Sequence, residues 1–180
     1  VYQTYSNWGG ASGTVLSGLS VNTVYRFMAK ARNGDSVDSS LSGASTSLYT
    51  LANAPTSPTV VAASPTSFTL SSIHINGNPG ATTTYSLCKT DNGSTCASGS
   101  SYVQGDGTLG ASRVWQSESP WLSNGITGLT LNTAYRFLSR ARNGDSVETA
   151  DSSTSSSTYT WASPVTGFSA TNTTDVTTLQ

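Results

Sequence analysis

The chain has 180 residues, of which 35% are hydrophobic and 9% are charged, and its formal net charge at pH 7 is −1. So little charge excludes disorder driven by charge repulsion and gives no electrostatic reason to bind nucleic acid or an anionic membrane. No apolar run approaches the roughly 20 residues that a membrane-spanning helix needs, and we expect no membrane span. Abundant Ser, Thr, Gly, Val and Tyr favour strands and turns, so the composition predicts an all-β protein.

In chain order, the first feature is a segment that occurs twice. Residues 25–38 read Tyr-Arg-Phe-Met-Ala-Lys-Ala-Arg-Asn-Gly-Asp-Ser-Val-Asp, and residues 135–148 read Tyr-Arg-Phe-Leu-Ser-Arg-Ala-Arg-Asn-Gly-Asp-Ser-Val-Glu. With their flanks, residues 19–50 are called the first copy and residues 129–160 the second copy. Side chains alternate along each segment and Asn-Gly-Asp follows, which predicts a strand, a tight turn and a second strand. The constant offset between the copies indicates a tandem array.

The copies define three segments of the chain. Residues 1–53 contain the first copy without the strands that precede it in the second repeat, so they are predicted to be the C-terminal part of a domain. Prolines at 55 and 58 mark a linker. Residues 54–163 form a complete domain with predicted strands at residues 59–63, 67–75, 82–90, 100–103, 112–116, 124–129, 133–142 and 147–161. Residues 164–180 restart the pattern of residues 57–71 and are predicted to be the N-terminal strands of a further domain.

The two cysteines, Cys88 and Cys96, flank the turn-forming residues Asp91-Asn92-Gly93. This spacing fits a disulfide across a hairpin, which would stabilise the domain by about 2 to 3 kcal/mol. A zinc site would need more ligands than one cysteine pair supplies. A disulfide implies an oxidising compartment and therefore a secreted protein.

The runs Gly18-Leu-Ser-Val-Asn-Thr-Val-Tyr25 and Gly128-Leu-Thr-Leu-Asn-Thr-Ala-Tyr135, with the strand and hairpin that follow each, resemble the fibronectin type III family in its low-charge form from bacterial surface proteins. The resemblance implies tandem immunoglobulin-like β-sandwiches, one complete and two partial, in an extracellular or cell-surface protein. It also implies that Tyr25 and Tyr135 are tyrosine corners, whose hydroxyls bond to the chain just upstream.

The tryptophans depart from the family pattern. The family buries a Trp on its second strand, where this chain has Phe68, Leu70 and Ile73. We expect that core volume to be filled by Trp115, Trp121 or Trp161. The same three residues and Trp8 are also candidates for stacking against a carbohydrate ligand.

Basic side chains form one row per copy on the outward face of the predicted strand. The rows consist of Arg26, Lys30 and Arg32 in the first copy and Arg136, Arg140 and Arg142 in the second. Asp38 and Glu148 on the following strand are expected to pair with part of each row. A solvated face is the simpler interpretation, and a lateral contact with a neighbouring subunit or an anionic glycan is the sharper hypothesis.

Residues that carry catalysis are scarce. His74 is the one histidine, and the nine acidic residues are scattered along the chain rather than placed as a catalytic pair. We expect no enzymatic activity, no cofactor and no metal. The sequence predicts a non-catalytic structural module of an extracellular filament, stalk or adhesin that provides spacing and subunit association. The alternative is a carbohydrate-binding or accessory module of a secreted enzyme.

Two partial domains would each expose strand edges and an apolar face. Either the chain is a window on a longer array, or subunits join head to tail by strand complementation. The fragments at the two ends together lack counterparts of residues 73–114, which favours the longer array. The expected partners are therefore neighbouring repeats of the same long chain or further copies of the protein.

Overall fold

The computed structural model describes residues 1–99 and 101–169, and its regular structure is almost entirely antiparallel strand. The all-β prediction is confirmed. Ser100 and most of the predicted third segment lie outside the described residues. The strands are Val24–Tyr25 (β1), Leu48–Tyr49 (β2), Thr59–Ser64 (β3), Ser67–Ser72 (β4), Thr84–Thr90 (β5), Tyr102–Val103 (β6), Leu109–Gly110 (β7), Ala134–Arg142 (β8) and Thr158–Tyr159 (β9). The helices are a 3-10 turn at Gly10–Ser12 and an α-helix, α1, at Glu118–Asn124.

The strands form three sheets. In the described residues β1 pairs with β2, β3 pairs with β4, and five strands lie in the order β7-β6-β5-β8-β9. The longest pairing joins β5 to β8 in unbroken register, with Tyr85 opposite Ala141. Side chains from β3–β4 meet those from β5 and β8 in one core, where Phe68, Leu87 and Phe137 are at most 1% exposed. Burial of these apolar side chains is the main favourable contribution to the stability of this part of the chain.

The segment between β7 and β8 differs from the prediction. Strands predicted at residues 112–116 and 124–129 are wrong, because only the isolated bridges Tyr85–Gln116 and Phe68–Ile126 form there. Helix α1 lies between them, with Glu118 in its first turn and Gly125 after its last residue. An acidic residue at the start and glycine at the end are ordinary helix signals. They were missed because the helix is only two turns long.

Helix α1 carries Trp121 into the core. The side chain is 1% exposed, and its indole N–H donates to the backbone carbonyl of Tyr85 at 2.9 Å. This bond satisfies the one polar group of the indole, as burial requires. Of the three tryptophans expected to fill the core, Trp121 is the one that does so.

The second strand of the repeated hairpin pairs irregularly, because three of its residues span two residues of its partner. In the second copy, Thr149, Ser152 and Ser155 donate backbone N–H groups to β8 carbonyls at 2.7–2.9 Å. Each hydroxyl accepts the N–H of the same β8 residue at 2.9–3.2 Å. The first copy repeats the arrangement with Ser39, Ser42 and Ser45. These two rows are called the serine ladders, and the regular strand predicted over 147–161 is reduced to β9.

The predicted disulfide is confirmed. Cys88 on β5 is bonded to Cys96, with 5.6 Å between their Cα atoms. The backbone N–H of Ala97 donates to the carbonyl of Lys89 at 2.8 Å, which closes the same loop. Cys88 faces Leu138 across the β5–β8 pair, and both side chains are 1% exposed. The disulfide therefore covers the side of β8 that faces away from the main core.

Candidate interaction surfaces

The first copy meets the second through a small polar contact, here called the joint. One side is a corner of the first copy formed by Asn22, Tyr49 and Thr50. The other side is the hairpin turn of the second copy, Asn143, Gly144 and Asp145. Three hydrogen bonds connect them: Gly144 N–H to the Asn22 side-chain oxygen at 3.0 Å, the Asn143 side-chain amide to the Thr50 carbonyl at 3.1 Å, and Tyr49 N–H to the Asp145 carboxylate at 2.7 Å.

Asn22 is the centre of the joint. It is 1% exposed, and its side-chain amide donates to the hydroxyl of Thr83 at 2.6 Å. The hydroxyl of Thr82 donates to the Asn22 carbonyl at 3.0 Å. Its φ of 42° is in the left-handed region, which asparagine tolerates better than most residues. The position therefore requires both an amide side chain and a residue that accepts this backbone conformation.

Gly144 packs directly against an aromatic ring. A Cβ at this position would lie 2.5 Å from the ring of Tyr49, so any side chain would have to displace the ring. Its φ is not in the left-handed region. The glycine is required by the neighbour across the joint and not by the conformation of the turn. The sequence predicted the turn but not its contact with Tyr49, because Asn-Gly turns are common without any such contact.

The predicted tyrosine corners occupy equivalent places in the two copies. The hydroxyl of Tyr25 accepts the backbone N–H of Ser20 at 2.9 Å, and that of Tyr135 accepts the N–H of Thr130 at 2.9 Å. Each bond closes the chain just before the strand that contains its tyrosine, β1 in the first copy and β8 in the second. It fixes the turn that carries Asn22, and so the tyrosine positions one half of the joint.

The basic row of the second copy is largely used within the chain. Arg140 contacts Asp151 through Nε at 2.7 Å and Glu148 through Nη1 at 2.9 Å. The hydrogen bonds that Arg140 donates to Asp151, followed by the one that it donates to Glu148, raise the pKa of Arg140 above its ordinary value. Arg142 donates to the hydroxyl of Thr84 at 2.9 Å. The partner Glu148 was predicted, whereas Asp151 was missed because the ladder spacing that places it there was not recognised.

Among the described residues, the first row has a single acidic partner. Asp38 lies 2.7 Å from Nε of Arg32 and 3.9 Å from Nζ of Lys30. It also accepts the hydroxyl of Tyr2, and the Arg32 guanidinium lies 3.8 Å from the centre of the Tyr2 ring. The hydrogen bond from Arg32, and then that from Tyr2, lowers the pKa of Asp38. Within the described residues, Arg26, Arg136 and Arg142 form no ion pair. Arg142 is bonded to Thr84 instead, so Arg26 and Arg136 remain for an outside partner.

The four candidate tryptophans do not form one platform. Trp121 is buried, so the prediction that it could stack on a ligand is wrong. Trp115 lies between two guanidinium groups, with Arg142 at 4.7 Å and Arg113 at 5.6 Å from its ring centre. Trp8 and Trp161 are 41% and 54% exposed. Of the four, these two are the exposed side chains.

Of the strand predicted in the first copy only β1 forms, and residues 26–32 are exposed where their counterparts in β8 are largely buried. Phe27 and Met28 are 45% and 58% exposed, whereas Phe137 and Leu138 are 0% and 1% exposed. The second copy is covered by β3–β4 on one face and paired with β5 along one edge. No described strand takes either place for the first copy. Neighbouring exposed apolar side chains such as Phe27 and Met28 are typical of an interaction surface.

His74, the one histidine of the chain, contacts a threonine. His74 follows the end of β4 with a φ of 55°, and its Nε2 lies 2.9 Å from the Thr59 hydroxyl. The described residues contain no group of three metal-ligating side chains and no helix of the length and apolarity needed to cross a membrane. A comparison with models of protein families and with curated proteins finds no match for the chain.

Proposed function

We propose that the protein is a structural module of an extracellular filament, stalk or adhesin, in which fibronectin type III-like sandwiches are repeated along the chain. Its work is to set the spacing and orientation of successive repeats. The disulfide is consistent with a secreted protein. The sequence repeat, and the two sheets that share one core in residues 54–163, support the sandwich assignment.

The joint is the observation that carries this proposal. Consecutive repeats on a flexible linker would need no buried contact between them, whereas here Asn22 is held by donors and acceptors from the other repeat. Removing a partner from a buried polar group leaves it unsatisfied, at a cost of roughly 1 to 3 kcal/mol. A relative rotation of the repeats would break several such bonds together. The joint therefore favours a fixed orientation over a hinge.

Association with further repeats is part of the proposed function. The exposed residues 26–32 of the first copy would be covered either by neighbouring repeats of a longer chain or by strands of a second molecule. An anionic glycan is the weaker candidate for the basic rows, because Arg140 and Arg32 are already paired with carboxylates. A carbohydrate platform is weaker than the sequence suggested, since Trp115 and Trp121 are both occupied.

Small-angle scattering of the complete chain tests the fixed orientation. The chain with native Gly144 is expected to fit the single arrangement of the structure, with no population of more extended forms. In Gly144→Gln the side chain displaces Tyr49, so the scattering should require an ensemble of orientations. Gly43→Gln is the matched control, because a Cβ at Gly43 meets no atom within 4 Å. A native chain that already requires an ensemble would contradict the proposal.

A further inference from the structure

Every residue that forms the three direct bonds of the joint occurs a second time in the chain. Asn132, Tyr159 and Thr160 of the second copy correspond to the corner residues Asn22, Tyr49 and Thr50. Asn33, Gly34 and Asp35 of the first copy correspond to the hairpin residues Asn143, Gly144 and Asp145. The described residues therefore contain one occupied joint, one further corner and one further hairpin.

Both of these further halves already have the conformation of the occupied joint. Asn132 has a φ of 45° against 42° for Asn22, and Ser36 has 64° against 63° for Ser146. The side-chain oxygen of Asn33 accepts the N–H groups of Asp35 and Val37, as that of Asn143 does for the equivalent residues. Little conformational entropy would be lost on docking.

The second corner is built in the same way. The N–H of Asn132 donates to the carbonyl of Trp161 at 3.1 Å, as Asn22 does to Leu51 at 3.1 Å. The hydroxyl of Thr160 accepts the Thr133 N–H at 3.0 Å, as Thr50 does for Thr23. The difference between the copies is exposure. Asn22 is buried and Asn132 is exposed, and Tyr159 is 61% exposed.

We infer that the second corner is a binding site for the Asn33-Gly34-Asp35 hairpin of another copy of this chain. The contact is head to tail, because the corner of one molecule takes the hairpin of the next and leaves that molecule's own corner open. Such a heterologous contact repeats into a linear assembly. In each contact Gly34 would lie against the Tyr159 ring, and Asp35 would accept the Tyr159 N–H.

This inference rests on the proposed structural function and adds the surface through which molecules connect. The proposed contact also gives the exposed residues 26–32 of the first copy a definite neighbour. In the occupied joint, the chain passes from the corner through residues 52–58 into β3. The same path after Thr160 leads into residues 163–169, which would then lie beside the first copy of the next molecule. The proposed contact thus brings residues 26–32 of one molecule close to residues 163–169 of another.

Gly34 is suited to a test, because no atom of its own chain lies where a side chain at this position would begin. A Cβ at Gly34 meets no atom within 4 Å, and its φ is not in the left-handed region. Gly34→Gln should therefore leave the isolated molecule folded, as circular dichroism and thermal unfolding would verify. In the assembly the new side chain would collide with Tyr159. Gly43→Gln is again the matched control, since Gly43 is equally open and lies outside the joint.

Sedimentation velocity of the complete chain over a concentration series measures the association. The native chain is expected to form a series of linear oligomers of increasing length. Gly34→Gln should raise the protein concentration at which they form by about tenfold or more. Gly43→Gln should match the native chain. Asp35→Ala, which removes the acceptor for Tyr159, should shift association in the same direction as Gly34→Gln.

Two results would overturn the inference: a native chain that stays monomeric throughout, or a Gly34→Gln chain that associates as the native chain does. Neither result bears on the internal joint. If Gly144→Gln alters the scattering while the native chain is monomeric, the proposed function stands and the second corner is not a binding site.

Discussion

At the scale of single residues, the molecule depends on small side chains whose role is set by a neighbour. Asn22 is the clearest example. Asparagine tolerates the left-handed φ of this position. Its one side-chain amide also forms the buried hydrogen bonds with Thr83 and Gly144. A short polar residue in a turn would normally be taken as solvated. In this protein it is a buried connection between two parts of the chain, and its sequence neighbours give no sign of that.

The tyrosine corner gives a prediction at this scale. Tyr135→Phe removes the acceptor of the Thr130 N–H and should lower the free energy of unfolding by about 1 kcal/mol, the net value of one hydrogen bond. Chemical denaturation of the complete chain measures the change. Arg136→Ala is the comparison variant, because that side chain is exposed and forms no ion pair with a described residue. Equal stability of the two variants would show that the hydroxyl does not hold the corner.

At the scale of elements, the serine ladders explain the Ser/Thr-rich composition. From one ladder residue to the next the chain advances three residues against two residues of β8, so each step inserts one extra residue, as a β-bulge does. The hydroxyl replaces the missing backbone acceptor at every step. The ladder forms one edge of its sheet, and irregular spacing along an edge prevents another strand from pairing with it. The hydroxyls therefore maintain the hairpin and protect its outer side.

Ser152 tests the ladder. Its hydroxyl accepts the N–H of Ser139, a residue that is 1% exposed. Ser152→Ala leaves that N–H buried without its partner, and we expect a loss of about 1 to 3 kcal/mol in the free energy of unfolding. The equivalent Ser42→Ala in the first copy should cost less than about 0.5 kcal/mol, because the bond that it removes is exposed to water.

Thermal or chemical unfolding of both variants gives this comparison within one protein. The ladder would be a passive consequence of the turn, and not a stabilising element, if Ser152→Ala unfolded at the native midpoint. A Ser42→Ala variant as unstable as Ser152→Ala would show that burial does not set the cost.

The elements differ in how well the sequence predicts them. Strand β8 was predicted within one residue, because Tyr135, Phe137 and Ala141 alternate with arginines along most of the strand. Helix α1 was missed because two turns are too short for a helical period to emerge. The ladders were missed because hydroxyls at every third position match neither the period of a strand nor that of a helix. The disulfide was predictable because its loop is short.

At the scale of the whole molecule, the first and second copies have the same sequence pattern in different surroundings. The burial of Phe137 and the exposure of Phe27 follow from what lies beside them and not from the residues themselves. The joint could not be predicted for a related reason. It connects residues far apart in sequence, and each of its halves is a plausible isolated turn. Repetition was the available signal, since Asn22, Tyr49 and Thr50 recur at the same offset as the hairpin residues.

In the proposed function, the joint holds the two repeats in one orientation. Residual dipolar couplings of backbone amides in a single aligned sample measure that orientation most directly. Couplings from residues 20–50 and from residues 59–160 should fit one alignment tensor with the coordinates of the structure, and Gly144→Gln should separate them into two. Two tensors of different magnitude in the native chain would mean that the repeats reorient independently, and the account of a rigid structural module would then be wrong.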